Sequence, residues 1–154
     1  MKKYLRLVFI DLVKDLEVDG EKLISSVVSD FNDKPSGDST AIIDVKKFND
    51  FKFGNRYRNL QLKPNVSIVF IFRENEDMIN SYTDTSVTQE DKADLSPELL
   101  VDLIREDLTL GGMVAECIPN GIEHKVLRDE KLDNLYMSKI DLIVKSRWVS
   151  PKEE

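Results

Sequence analysis

The amino-acid sequence predicts an α+β domain, and three of its segments carry that prediction. Residues 96–110 place apolar side chains at spacings of three and four, which is the period of an amphipathic helix. Residues 66–73 and 136–148 alternate with a period of two, which is typical of strands. A chain of 154 residues is long enough for one domain with a single core.

The predicted helix has a start signal and a stop signal. Ser96 can accept a hydrogen bond from a helix-start N–H, and Pro97 suits the first helical position, where its missing N–H would have no partner. Gly111 and Gly112 can take the left-handed conformation that closes a helix. The apolar stripe consists of Leu99, Leu100, Leu103, Ile104 and Leu108. Before the helix, residues 74–94 are acidic and lack a sustained period, which predicts a long loop or mobile arm within the single domain.

A first helix is predicted over Lys3–Leu16. Its core stripe consists of Leu5, Val8, Phe9, Leu12 and Leu16. Leu7 and Ile10 fall away from this stripe and lie among basic residues. Either another part of the chain covers them or they belong to a subunit interface, and we take Leu7 and Ile10 as candidate interface residues.

The next segments are shorter. Residues 18–31 predict a short helix, because apolar residues recur there at a spacing of four. Residues 32–39 predict a polar loop and residues 40–46 a strand.

Residues 46–63, here named the basic-aromatic segment, carry six basic residues and one acid, which makes their charge +5. Four aromatic residues are interleaved with these charges: Phe48, Phe51, Phe53 and Tyr57. Such a pattern fits a nucleic-acid site, a hairpin that buries its aromatic side chains, or a surface that docks on an acidic protein. The candidate contact residues for a partner or for DNA are Lys47, Lys52, Phe53, Arg56 and Arg58.

The strands differ in their predicted surroundings. Both faces of residues 66–73 are largely apolar, which indicates a central strand covered on both sides. Residues 113–118 and 122–127 predict a hairpin around the turn signal at 119–121. Residues 136–148 have one apolar and one charged face, so we expect helices on one side only.

Composition excludes some classes of protein. The 22 Lys and Arg residues against 29 Asp and Glu residues give a net charge of −7, which argues against a surface that clamps nucleic acid all round. A single cysteine cannot form an internal disulfide, and neither a signal-peptide pattern nor an apolar run of about 20 residues is present. We therefore expect folding in a reducing cytoplasm, away from membranes.

Residues for catalysis are sparse. Cys117 and His124 resemble a nucleophile and a base that approach each other across the predicted hairpin, but no third group is evident to orient them. The sequence contains no ligand set for structural zinc, no calcium loop and no glycine-rich phosphate loop. We therefore predict no enzymatic activity, and no catalytic, cofactor-binding or metal-binding residues.

Residues 97–104 and 107–112 read PELLVDLI and DLTLGG. Together with the N-terminal helix, the strand pair, the long acidic connection and a final strand ending near Trp148, they resemble the tail terminator (tail completion) proteins of long-tailed bacteriophages. As an order of elements the likeness covers most of the chain, and its most specific part is Leu103–Met113. The basic-aromatic segment and residues 74–94 have no counterpart among the family's motifs.

The resemblance implies an α+β subunit with two main helices on one face of a mainly antiparallel sheet. It implies a homo-oligomeric ring, a hexamer in this family, that caps the tail tube and meets the head–tail connector or stopper protein. DNA would pass through the ring only transiently. The location would be the tail–neck junction of the virion, after assembly in the host cytoplasm.

Two other functions stay open at this stage. A head–tail stopper or adaptor protein is a close variant of the same assembly role. A small nucleic-acid-binding domain that uses the basic-aromatic segment belongs to a different class.

Overall fold

The computed structural model describes residues 2–28, 38–46, 52–53, 59–62, 65–111, 116–128 and 133–149. These residues form three helices and nine strands. The helices are α1 (Lys2–Lys14), α2 (Glu76–Ser81) and α3 (Gln89–Glu106). The strands are β1 (Glu17–Val18), β2 (Glu21–Lys22), β3 (Ser26–Val28), β4 (Ser39–Lys46), β5 (Lys52–Phe53), β6 (Asn59–Leu62), β7 (Asn65–Glu74), β8 (Glu116–Arg128) and β9 (Asn134–Val149). In the described part of the chain, no helix is long and apolar enough to cross a membrane.

Seven strands form one sheet, in the order β3-β4-β7-β9-β6-β5, with β8 also paired to β9. The β3–β4 pair is parallel, and the pairs that β4, β7, β9, β6, β5 and β8 make with one another are antiparallel. α1 packs on β4 and β3, while α3 packs on β7, β9 and β8. The predicted α+β fold, with a mainly antiparallel sheet, is confirmed.

The core lies between the two main helices and one face of the sheet. Phe9 and Val13 of α1 and Leu100 and Ile104 of α3 are fully buried in one cluster. The same cluster includes the alternate residues of β7, all at 0% exposure: Val66, Ile68, Phe70 and Phe72. The other face of β7 is also covered at Ser67 and Val69, so the prediction of a strand buried on both faces is confirmed there.

β9 organises the sheet from its middle. One of its edges pairs with β7 over Asn134–Ile143 and with β6 over Ser146–Val149, in a single continuous register. Its other edge pairs with β8 over Asn134–Lys145. The predicted last strand is confirmed, and its 16 residues contact strands from three parts of the sequence.

α1 confirms the predicted first helix. Phe9 and Leu16 of the predicted stripe are buried, and Val13, which the stripe left out, is buried with them. Ile10 is partly buried and packs against the core cluster, whereas Leu7 is 48% exposed. The chain itself therefore covers Ile10 in part and leaves Leu7 open.

The predicted short helix over residues 18–31 is wrong for the part that the structure describes. β1 and β2 form a hairpin whose two-residue turn is Asp19-Gly20, both with φ in the left-handed region, at 53° and 81°. Asp-Gly is a strong signal for this turn, and it outweighs the spacing of four on which the helix prediction rested. Residues 29–31 and most of the predicted polar loop lie outside the described residues.

The predicted start of the main helix is also wrong. α3 begins eight residues before Pro97, at Gln89, behind a capping box in which Thr88 and Asp91 bond each other's backbone N–H groups. The Ser96 hydroxyl donates to the Lys92 carbonyl at 2.7 Å inside the helix. The helix tolerates Pro97 in its interior because the tertiary packing of α3 outweighs the one backbone hydrogen bond that is lost. The predicted loop over residues 74–94 therefore holds α2 and the first turns of α3.

A polar network fixes the connection between β7 and α3. Glu74, only 6% exposed, accepts hydrogen bonds from the hydroxyls of Tyr82 at 3.0 Å and Tyr136 at 3.3 Å. Tyr82 in turn accepts the Gln89 backbone N–H at 3.1 Å, and the Gln89 side chain donates to the Arg73 carbonyl at 2.9 Å. The network ties the end of β7, the start of β9 and the first turn of α3 together.

The predicted hairpin around residues 119–121 is wrong as well. β8 is one strand of 13 residues that pairs with β9 on both sides of a register shift between Pro119 and Gly121. A proline is compatible with an edge strand when its nitrogen faces away from the sheet. Pro119 and Gly121 therefore mark a bulge in one strand rather than a turn between two. Residues 113–115 lie outside the described residues.

Candidate assembly surfaces

A groove of about 220 Å³ lies between α1 and the turn that follows α3. Its apolar lining consists of Val8, Leu12, Leu103 and Leu110. Its polar lining consists of Asp11, Asp15, Asp107 and Gly111. The three carboxylates are on exposed residues, whereas Leu110 is buried, so the groove has an apolar floor and a negatively charged rim. We name it the acidic groove.

The turn after α3 builds one side of the acidic groove. α3 ends at Glu106 rather than at the predicted Gly111-Gly112, and Asp107 caps it. Asp107 accepts hydrogen bonds from the Thr109 hydroxyl at 2.7 Å and from the Gly111 N–H at 2.6 Å. The Thr109 hydroxyl first, and then the Gly111 N–H, hold the pKa of Asp107 below its ordinary value. This rim carboxylate is therefore ionised at neutral pH.

The backbone at the end of this turn is left-handed, and it places the Leu110 side chain in a buried position. Leu110 and Gly111 have φ of 50° and 72°, and the Leu110 side chain is only 7% exposed. The Cys117 N–H donates to the Leu108 carbonyl at 2.9 Å, which anchors the turn to the start of β8. Gly111 therefore has a backbone conformation that residues with an L side chain rarely adopt. Gly112 lies outside the described residues.

A nearby cation offsets only part of the rim charge. Lys22 Nζ lies 3.9 Å from Asp15 Oδ1 and 3.4 Å from Glu17 Oε1, and both Lys22 and Asp15 are exposed. Exposed ion pairs at these distances are weak because water screens them. The groove therefore keeps a net negative rim that can attract a basic partner.

β8 is the outer strand on one side of the sheet. In the described part of the chain it pairs with β9 and with no other strand. Residues 120–128 are all exposed, and three of them are large apolar residues: Ile122 at 38%, Val126 at 60% and Leu127 at 47%. A long exposed edge strand with apolar side chains is a template for pairing with another chain.

Cys117 and His124 do not form the pair that the hairpin prediction required. They lie seven positions apart on β8, which at about 3.3 Å per residue separates their Cα atoms by roughly 20 Å. Cys117 is fully buried, and burial raises the pKa of its thiol to about 12. A thiol with that pKa stays protonated at neutral pH and is a poor nucleophile.

His124 instead lies beside two residues that the sequence reasoning did not single out. Its Nδ1 lies 3.5 Å from Asp94 Oδ1 on α3, and it is directly across from Ser138 in the β8–β9 register. Ser138 is 1% exposed, and among the described residues its Oγ has no hydrogen-bond partner. A buried serine hydroxyl without a hydrogen bond to the imidazole is not an activated nucleophile. No local sequence signal places these three together, because the register of β8 against β9 pairs His124 with Ser138 and the packing of α3 on β8 brings Asp94 to His124.

A polar pocket of about 340 Å³ lies on the sheet face away from the helices, around Ser67 and Asp141. The Ser67 hydroxyl donates to Asp141 Oδ1 at 2.7 Å, and Lys139 Nζ lies 3.8 Å from the same oxygen. These polar groups satisfy one another. Within the residues that the structure describes, no three His, Cys, Asp or Glu side chains are grouped to hold a metal ion.

The structure locates only some of the sequence-predicted contact residues. Leu7 and Ile10 lie on α1, with the exposures given above. Lys52 and Phe53 form β5, whose backbone pairs with β6. Three other candidates, Lys47, Arg56 and Arg58, lie outside the described residues. The acidic groove was missed because its two sides are about a hundred residues apart in the sequence.

No protein-family model matches the chain, and a search of curated proteins finds no significant match.

Proposed function

We propose that this chain is a structural virion assembly protein, a tail terminator of a long-tailed bacteriophage. In this proposal, copies of the chain form a ring, a hexamer by resemblance, at the tail–neck junction. The ring caps the tail tube, ends its polymerisation and offers a surface to the head–tail connector. DNA passes through the ring without being held, and no step requires catalysis.

One observation carries the proposed ring assembly: the structure has an acidic groove, and the sequence has a segment whose charge and composition could complement it. The acidic groove combines an apolar floor with three carboxylates. The basic-aromatic segment combines aromatic residues with a charge of +5. Such a segment can bury apolar side chains in the groove while its basic groups face the rim.

Backbone pairing supports this role for the segment. β5 pairs with β6, and β6 pairs with Ser146–Val149 at the end of β9. These three strands extend the sheet past the Lys46–Asn65 and Asn65–Ile143 pairs, where the pairing of β4 and β7 ends. An extension of this kind is suited to reach a neighbouring copy.

Contact between two unlike surfaces is heterologous. Repeated head to tail, a heterologous contact generates a closed ring when the rotation between subunits closes, and a filament when it does not. A ring that caps a tube requires closure, and the resemblance to tail terminators supplies that expectation.

Charge exchange tests the contact. Asp11→Lys with Asp15→Lys changes the charge of the three-carboxylate rim from −3 to +1. Lys52→Glu, Arg56→Glu and Arg58→Glu together change the charge of the segment from +5 to −1. Each of these two variants should lower the particle mass toward the 17.7 kDa of one chain, because the groove and the segment then have charges of the same sign. The variant that combines all five substitutions should restore the ring, because the rim is then positive and the segment negative, so attraction is re-established with both signs exchanged. Mass photometry or sedimentation velocity measures each mass.

A matched control distinguishes the loss of the groove contact from a general effect of net charge on assembly. Asp84→Lys with Glu98→Lys raises the net charge by the same amount as the groove variant, on exposed residues that do not line the groove. This control should assemble like the unmodified protein. A monomeric unmodified protein, or a ring that survives both reversals, would contradict the proposal.

Two further results would redirect it. Salt-sensitive binding of short duplex DNA at micromolar affinity, abolished by Lys52→Glu with Arg56→Glu while the particle mass stays constant, would favour a nucleic-acid-binding domain. A ring that binds head–connector proteins and not tail tube ends would favour a stopper or adaptor.

A further inference from the structure

The exposed edge of β8 carries an inference that is independent of the proposed ring. Natural edge strands are usually blocked by bulges, prolines or a covering segment. β8 has its bulge and its proline near its start, at Pro119 and Gly121. Residues 122–128 beyond them are exposed and keep a regular register with β9.

The alternation of backbone groups along a strand identifies which N–H and C=O groups of β8 point outward, away from β9. The Cys117 N–H donates to the Leu108 carbonyl, so the backbone N–H and C=O groups of residue 117 point away from β9. Cys117 is opposite Val144, and outward and inward residues alternate along an antiparallel pair. Ile122, His124 and Val126, opposite Ile140, Ser138 and Tyr136, therefore also direct their N–H and C=O groups outward.

We infer that β8 pairs antiparallel with β8 of a second copy, about a two-fold axis at His124. In this register the outward N–H and C=O groups of Ile122 form hydrogen bonds with those of Val126 of the second copy. By symmetry, Val126 of the first copy pairs in the same way with Ile122 of the second. His124 meets His124 of the second copy at the axis. The sheets of the two copies join into one continuous sheet.

Charge selects this register over its neighbours. With the axis at His124, Glu123 is directly opposite Lys125 of the second copy, and symmetry makes this attractive pair twice. An axis one residue earlier would place Glu123 opposite itself, and an axis one residue later would place Lys125 opposite itself. Like charges directly opposite each other are destabilising, so both alternatives are disfavoured.

The apolar side chains support the same arrangement. Ile122 and Val126 share the helix side of β8, because their partners Ile140 and Tyr136 pack with the core cluster. At 38% and 60% exposure they are poorly covered within one copy. In the two-fold pair, Ile122 of each copy lies beside Val126 of the other, so four exposed apolar side chains cover one another.

Amide hydrogen exchange tests the inference on the complete chain without relying on the ring. The outward N–H groups of Ile122, His124 and Val126 should exchange slowly at high protein concentration and at least tenfold faster on dilution. The N–H groups of Glu123 and Lys125 bond β9 and should be slow at both concentrations. Fast exchange of the outward groups at every concentration would overturn the inference.

Charge reversal tests the register. Glu123→Lys and Lys125→Glu should each abolish the concentration-dependent protection, and the double variant should restore it. Protection that the double variant does not restore would show that β8 pairs with a different strand, which overturns the two-fold contact. Val126→Pro removes only an outward N–H, so a folded Val126→Pro protein should also lose the protection.

The two proposals fail separately. A ring that survives both charge reversals, with β8 protection intact, contradicts the ring proposal and nothing in this inference. An intact ring with unprotected β8 overturns the two-fold contact and leaves the ring proposal standing.

Discussion

Tyr82→Phe tests the network that holds the first turn of α3 against the sheet. The substitution removes one hydroxyl and keeps the ring. That hydroxyl donates to Glu74 at 3.0 Å and accepts the Gln89 N–H at 3.1 Å, so two polar groups lose a partner together. Glu74 is 6% exposed and Gln89 is 4% exposed, so water replaces the lost bonds poorly.

The expected magnitude follows from these contacts. A hydrogen bond to a charged group contributes about 1.5–3 kcal/mol, and an unsatisfied buried group costs a similar amount. Glu74 keeps its bond from Tyr136, and the Gln89 N–H can be partly hydrated, so we expect Tyr82→Phe to lower the free energy of unfolding by about 2 kcal/mol. For a domain of this size, that corresponds to a fall of roughly 4–8 °C in Tm.

Urea unfolding followed by far-UV circular dichroism measures the change, with the m value expected to stay constant. Tyr136→Phe is the matched control, because its single bond to Glu74 is longer, at 3.3 Å, and should cost less. Hydrogen exchange at Gln89 should accelerate in Tyr82→Phe alone. A change in unfolding free energy below about 0.5 kcal/mol would refute the reasoning, since that is the usual effect of a surface substitution.

Three other predictions follow from burial. Burial raises the pKa of Cys117 to about 12, and burial first and then the Glu74 contacts raise the pKa of Tyr136. The folded state therefore holds protons that the unfolded state loses first, so the free energy of unfolding should fall as pH rises above about 9, and Cys117→Ala should flatten that fall between pH 9 and 10. The Cys117 thiol should react with a disulfide reagent only in denaturant, and fast reaction of the folded protein would contradict its burial. Ile10→Asp should lower stability more than Leu7→Asp, because Ile10 packs on the core and Leu7 is 48% exposed; equal losses in urea unfolding would contradict this order.

The elements that sequence reasoning predicted correctly have strong periodicity and burial. β7 and β9 show an alternation that the structure uses directly, since Phe70 and Ile140 are fully buried. α1 shows a helical stripe that contacts the core through Phe9. In these segments local propensity and tertiary packing agree, and the sequence pattern is therefore enough.

The errors arise where a local signal competes with a distant contact. Ser96 and Pro97 form a plausible helix start, but the capping box at Thr88 and the sheet contacts of Gln89 begin the helix about two turns earlier, in the acidic segment. Pro119 and Gly121 resemble a turn, but β9 is long enough to pair with the residues on both sides of them. The acidic groove and the outward groups of β8 depend on such distant contacts and could not be predicted from local patterns.

The position of β9 has a consequence for how the chain acquires its fold. β6, β7 and β8 all precede β9 in the sequence, and each needs β9 as its neighbour in the sheet. A ribosome adds about 5–20 residues per second, so these strands leave the tunnel seconds before the strand that joins them. During that interval the apolar strand β7 depends on β4 and α3 for cover. Sheet closure is therefore a late, non-local event, and we expect refolding on the millisecond-to-second scale of proteins dominated by distant strand pairs.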